Sequence, residues 1–105
     1  MKGTFYLHKS DKADKKYFIE FENPKTNRMK KVYFGASGYQ DYTMHKDDER
    51  KERYINRHKN NERWNDPTTA GFYSRWLLWN KPTLSASIKN TNERFGIQIK
   101  NSNKK

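Results

Sequence analysis

The chain has 105 residues, a formal net charge of +11, 33% charged residues and 15% aromatics. That is long enough for one core and too short for two. It has no cysteine, which excludes disulfides, thiolate metal sites and a cysteine nucleophile, and it lacks the run of ~18 apolar residues that a membrane span needs.

Leu, Ile, Val and Phe together number 16, and a composition that poor in apolar residues with this much charge reads as disordered by the usual rule. The rule ignores Tyr and Trp. Counting them gives 16 aromatics against ten Leu, Ile and Val. A buried aromatic removes ~150–250 Å² from water. The expectation is therefore a folded domain over residues 1–100 with a thin core, aromatic rather than aliphatic, and a mobile basic tail over 101–105. Leftover aromatic surface would suit a homodimer. The opening MKGTFYLHKSDKADKK has no apolar signal core, so secretion by that route is not expected.

Thr4–Leu7 reads as a short strand with Phe5 and Leu7 on one face. Tyr17–Glu22 alternates, placing Tyr17, Ile19 and Phe21 together and Glu20 and Glu22 opposite. Asn23-Pro24-Lys25-Thr26-Asn27 is turn chemistry, because proline fixes φ and asparagine tolerates the left-handed region. Met29–Phe34 returns as a strand, so a β-hairpin spans 17–34, and Gly35 and Gly38 end it. Asp47–Asn60 reads as a helix with acids at its start and Arg57, His58 and Lys59 at its end. Its apolar stripe, Tyr54, Ile55 and His58, is narrow, which places it on the surface of the core.

Pro67-Thr68-Thr69 starts a second helix with a threonine cap. Phe72, Trp76 and Trp79 follow at helical spacing, and Asn80-Lys81-Pro82 stops it. Pro82 opens a third helix at its first turn, with Leu84, Ile88, Thr91 and Phe95 in line and Gly96 as its stop. Ile97–Ile99 alternates like a last strand. The fold class is α+β: a small antiparallel sheet, the hairpin plus an edge strand from Thr4–Leu7 or Ile97–Ile99, packed by about three helices.

The charge is uneven. Residues 1–34 carry nine Lys/Arg against four acids, residues 35–66 carry seven of each, and residues 67–105 carry seven Lys/Arg against one acid. An anion-binding face is thus expected from the two ends of the chain. Basic residues interleave with aromatics: Arg75 between Tyr73 and Trp76, Lys81 after Trp79, Lys30 and Lys31 before Tyr33. Cations neutralise phosphates, and aromatics stack on unpaired bases. The expected phosphate contacts are Lys2, Lys9, Lys15, Lys16, Lys25, Arg28, Lys30 and Lys31 from the N-terminal part. Arg75, Lys81, Lys89, Lys100, Lys104 and Lys105 complete the set.

FGASGYQDYTMHKDDERKERYINRHKNNERW, followed by TAGFYSRWLLWNKPTLSASIKNTNERFG, resembles a family of small proteins of large nucleocytoplasmic DNA viruses, with a marseillevirus-like pattern. The resemblance runs from Phe34 to Gly96 and transfers no chemistry onto these positions. It implies a viral protein of the virion, made in the host cytoplasm, with the nucleus as a further destination.

His45, Asp47, His58 and Glu62 form the cluster to weigh as a metal site. His45 and His58 are thirteen residues apart, and Asp47, Asp48 and Glu49 are explained by the helix dipole. No metal, cofactor or catalytic residue is expected. A metal-dependent nuclease would draw on His45, Asp47, Arg50, Arg57, His58 and Glu62, which offer the residue types without a nuclease spacing. The favoured reading is a non-enzymatic basic protein that binds nucleic acid, DNA above all, through backbone phosphates. The alternative is a homodimeric structural protein that binds a virion or host protein.

Overall fold

A computed structural model describes residues 3–23 and 25–102. Four strands form one sheet: β1 (Thr4–Lys9), β2 (Lys15–Glu22), β3 (Met29–Ala36) and β4 (Gln98–Asn101), in the order β3-β2-β1-β4. The helices are α1 (Tyr42–His45), α2 (Asp48–His58), α3 (Ala70–Tyr73), which runs on into a π-helical segment (Ser74–Leu78), and α4 (Leu84–Phe95). The architecture is α+β. Among the described residues no helix is long and apolar enough to cross a membrane.

The hairpin forms as its pattern dictates. Tyr17 pairs with Phe34 and Ile19 with Val32, so apolar residues meet on one face, while Phe18 pairs with Tyr33 and Glu20 with Lys31 on the other. Asn27 takes a left-handed φ of 57° in the turn. β3 runs past the expected end, through Gly35 to Ala36. Gly35 has φ +77°, and a Cβ there would come within 2.8 Å of Leu78 Cδ1, so only glycine lets the strand pass the π segment.

The sheet, the core and the tryptophan stripe each correct an expectation. The sheet is mixed, because β4 pairs parallel with β1, Phe5 opposite Ile99, and β1 is an inner strand. β4 arrives from α4, and such a helical crossover returns a strand parallel to its neighbour. Asn92 of α4 holds that edge by accepting from Ile99 N at 2.8 Å and donating to Ile99 O at 3.2 Å. The core is also less exclusively aromatic than expected, although nine of the sixteen buried hydrophobic residues among those described are aromatic. Leu7, Ile19, Val32, Leu77, Leu78, Ile97 and Ile99 share it with Phe5, Phe21, Phe34, Phe72, Tyr73 and Trp76. The few aliphatic side chains go inside because they have no polar atom to satisfy, whereas most tyrosines keep their hydroxyls near water.

The third correction concerns the tryptophan stripe. Phe72 and Trp76 do face one way, each edge-on to Phe95 at 4.9 and 5.3 Å. Trp79 does not follow them. Its N–H donates to Ser74 O at 3.1 Å, a bond five residues back that widens the turn. The extra width rotates Trp79 away from α4 and towards α2.

α2 is shorter than expected at both ends: Asp47 stands outside it and caps it by accepting from Glu49 N and Arg50 N, and the helix stops at His58. Thr69 caps α3 and Gly96 ends α4 with φ 64°, as expected. α4 is capped by Thr83, so Pro82 precedes the helix rather than opening it. Ser102 N donates to Leu7 O at 2.9 Å, which ties the start of the expected tail to β1; residues 103–105 lie outside the described residues.

Tyr73 is fully buried and its hydroxyl donates to Pro67 O at 2.6 Å. Burial raises the Tyr54 and Tyr73 phenols well above their ordinary value. A raised phenol favours the neutral native state, so its stabilising contribution is present below pH ~10 and lost as pH rises above it, where the unfolded chain ionises. An ultraviolet titration should find Tyr54 and Tyr73 silent until the protein unfolds in alkali. Smooth titration of every tyrosine before unfolding would contradict their placement.

Candidate functional site

A cleft of about 780 Å³ opens between β3 and α2, with α3 and the π segment beneath it. That volume suits a ligand of nucleotide size. Its walls carry the cations Lys15, Lys16, Arg50, Arg53 and Arg57. Asp41 and Glu62 are the carboxylates that line it.

The arginine wall is a property of helical spacing. Positions 50, 53 and 57 fall within about 60° of one another at ~100° per residue, and span about 10 Å at ~1.5 Å per residue. Asp48 and Glu52 fall on the opposite side. Arg50 is braced by Gln40 Oε1 at 2.9 Å. Among the described residues Arg53 and Arg57 have no hydrogen-bond or ion-pair partner, and both are exposed. Tyr39, 73% exposed, also lines the cleft, at its rim.

Both carboxylates are occupied. Asp41 is buried, accepts from Lys16 Nζ at 2.6 Å and caps α1 through Thr43 N. Glu62 Oε1 lies 3.2 Å from His58 Nδ1, and its Oε2 accepts from Trp64 Nε1 at 3.2 Å. Trp76 Nε1 in turn donates to Trp64 O at 2.6 Å, which ties this chain of contacts to the core. The lining therefore carries five Lys and Arg side chains against two carboxylates, a net positive charge with the histidine neutral.

α2 reaches this position through one buried residue, Tyr54. Its ring lies parallel to Trp79, 4.5 Å away with 2° between planes, and 4.5 Å from His58. Lys51 adds a bond from Nζ to Asn80 O at 2.6 Å and stands 4.9 Å over Tyr42. Burial, with Arg75 and Lys81 nearby, pulls the Lys51 ammonium below its ordinary value.

The sequence-expected phosphate contacts do not gather into one face. Lys15 and Lys16 line the cleft. Lys25, Arg28 and Lys30 stand at the other end of the sheet. Lys30 pairs with Phe21 and Lys15 with Ala36, six residues apart on β2 and thus about 20 Å at ~3.3 Å per residue. Lys31 covers Phe18 at 5.0 Å, and Lys100 sits opposite Tyr6 on the far side of the sheet. Lys9 ends β1, while Lys81 and Lys89 are exposed after the π segment and on α4. Arg75 is half-buried, with its guanidinium 4.3 Å from Trp76 and 5.4 Å from Trp64, and it donates to Trp79 O at 2.7 Å. Lys2, Lys104 and Lys105 lie outside the described residues.

Of the residues weighed for a nuclease, Arg50, Arg57, His58 and Glu62 meet in the cleft. His45 does not join them: its ring packs on Trp79 at 5.3 Å and its Nδ1 accepts from Asp47 N at 2.9 Å. Burial lowers His45 below the ordinary histidine value, helped by Arg50. Asp47 is spent on capping α2. Among the described residues no three His, Cys, Asp or Glu side chains could hold a metal ion. Arg53 was absent from every sequence-derived set, although the 50, 53, 57 spacing carries the signal.

Gly71 is the second glycine that the site requires. A Cβ there would come within 2.5 Å of Glu62 Oε2. Gly71→Ala should displace the Glu62 carboxylate from both His58 and Trp64 at a cost below about 1 kcal/mol, because the clashing atom is the free end of a flexible, partly exposed side chain. Urea denaturation should show a stability close to wild type, while Trp64 fluorescence reports the loss of its contact with Glu62; a loss above about 3 kcal/mol would contradict the placement of Glu62.

A model described as a family of unknown function (DUF5754) matches residues 6–58. The match covers β1 from Tyr6, β2, β3, α1 and α2, and overlaps the Phe34–Gly96 resemblance at 34–58. No curated protein and no solved structure matches the chain. The family match spans half of the 105 residues, and the chain belongs to this family of unknown function.

Proposed function

We propose that this protein binds single-stranded nucleic acid through backbone phosphates, using the cleft between β3 and α2. The observation that carries the reading is the row Arg50, Arg53 and Arg57 in one cleft with Lys15 and Lys16, five cations against the two carboxylates Asp41 and Glu62. Three guanidiniums spread over about 10 Å can engage successive phosphates of one strand. Guanidinium groups suit phosphate because their planar donors can bind two oxygens at once. Exposed Tyr39 at the rim offers a face on which an unpaired base can stack. In the viral setting that the Phe34–Gly96 resemblance implies, such binding would serve packaging of nucleic acid in the virion.

The contacts are to phosphate, so sequence preference is low and salt dependence steep. Fluorescence anisotropy with a labelled single-stranded oligonucleotide tests this. The combined Arg50→Ala, Arg53→Ala and Arg57→Ala variant should bind ~10³-fold more weakly, at about 1.5 kcal/mol for each lost contact to a charged group. The combined Lys25→Ala, Arg28→Ala and Lys30→Ala variant should lose less than about tenfold, since those cations contribute only long-range attraction. Equal losses in the two variants, or weak binding that does not respond to salt, would overturn the cleft as the binding surface.

A further inference from the structure

The cleft holds a group that strand binding does not use. His58 lines it beside Arg57, with its side chain 39% exposed and its Nδ1 3.2 Å from Glu62 Oε1. Glu62 is fixed from a second direction by the Trp64 indole N–H, and its oxygen occupies the space that Gly71 leaves open. The imidazole is also packed on Tyr54 at 4.5 Å. In its neutral form the imidazole with Nδ1 towards the Glu62 carboxylate carries its proton on that nitrogen, which leaves the Nε2 lone pair as a base. A base of this kind, placed among guanidiniums that bind phosphate, is the arrangement that general base catalysis at a phosphodiester requires.

We infer that the protein cleaves single-stranded RNA without a metal, with His58 as general base and Glu62 as the residue that positions it. This rests on the strand-binding reading above. His58 Nε2 takes the proton of a ribose 2′-hydroxyl, and the 2′-oxygen forms a bond to the adjacent phosphorus. The bond from phosphorus to the 5′-oxygen breaks, and that oxygen takes a proton from solvent water. The products are a 2′,3′-cyclic phosphate and a 5′-hydroxyl, and His58 returns its proton to water. Nothing is oxidised, reduced or hydrolysed. Arg57 and Arg53 stabilise the charge that builds on the non-bridging oxygens. DNA binds in the same cleft but lacks the 2′-hydroxyl, so it is held and not cut.

The test uses a 5′-labelled single-stranded oligoribonucleotide and its all-deoxy counterpart, in excess chelator. The full-length protein should cut the RNA to cyclic-phosphate ends and leave the DNA intact. His58→Ala should lower kcat by ~10²–10⁴-fold, the usual share of a general base, while anisotropy shows unchanged affinity for the DNA. Added imidazole should restore part of the rate in His58→Ala, which a purely structural role for the ring would not allow. Glu62→Gln should lower kcat with little change in KM. Retained DNA affinity in each variant reports that the cleft is still folded. Intact RNA with DNA binding preserved would overturn the catalytic inference and leave strand binding standing. Cleavage that survives His58→Ala, requires Mg²⁺, or extends to DNA would overturn it as well. Loss of all binding in the wild-type protein would overturn both.

Discussion

The stack of Tyr54 on Trp79 is the contact on which the cleft depends. Tyr54 is the buried residue of α2, and the rest of that helix is half-buried or exposed. Such a helix has little intrinsic reason to persist, since most helical stability comes from an apolar face packed on a partner. Here the nearest partner is the Trp79 indole at 4.5 Å, with Trp64 stacked further off at 6.4 Å and the bond from Lys51 to Asn80 O in support. An aromatic pair adds ~0.5–1.5 kcal/mol beyond the area it buries. Trp79 points at Tyr54 because the π turn rotates it off the line of Phe72 and Trp76. The dependence therefore runs from one widened turn to one indole, to one phenol, to the helix that carries three arginines.

Net charge gives a poor map of available charge. Arg75 and Arg94 both belong to the basic C-terminal third, yet both guanidiniums lie over the Trp76 ring, at 4.3 and 4.5 Å. Burial pulls the Arg75 guanidinium below its ordinary value, and its Nε is buried without a partner among the described residues. Those cations act as covering for indole surface, a use that weakly hydrated guanidinium permits. Residues 35–66, balanced in charge, supply the arginine wall instead. Acids and bases of one helix cancel in a count but separate around its circumference, and Asp47 and Asp48 are further engaged with the cap and Tyr42.

Local rules explain which parts of this fold were legible in the sequence. The hairpin register, the threonine cap of α3, the Gly96 stop and the Asn27 turn each depend on a few neighbouring residues, and each could be read directly. The direction of β4 could not, because an alternating triplet pairs equally well either way and the choice is made by α4. The π turn was equally hidden: nothing in Ser74–Leu78 distinguishes a five-residue bond from a four-residue one. For the cleft, the helical period alone would have found Arg50, Arg53 and Arg57. The approach of Lys15 from β2, the pairing of Lys16 with Asp41, and the seat of Glu62 against Gly71 are long-range events that periodicity does not encode.

The family match divides the site in an informative way. Residues 6–58 contain both cationic walls, Lys15 and Lys16 on one side and Arg50, Arg53 and Arg57 on the other, together with His58. They do not contain Glu62, Trp64, Gly71 or Trp79, the residues that orient His58 and seat Tyr54. Charge for an anion and support for the helix that presents it thus come from different parts of the chain. A wall of arginines on a helix with one buried residue repels itself and gains little from packing, so it holds its place only while something outside it receives Tyr54. The residues after 58 supply that receptor, and the same residues place a carboxylate at His58 Nδ1. Anchoring α2 and orienting its histidine are therefore served by a single stretch, Glu62 to Trp79, through different residues: Trp79 receives Tyr54 and Glu62 meets His58 Nδ1.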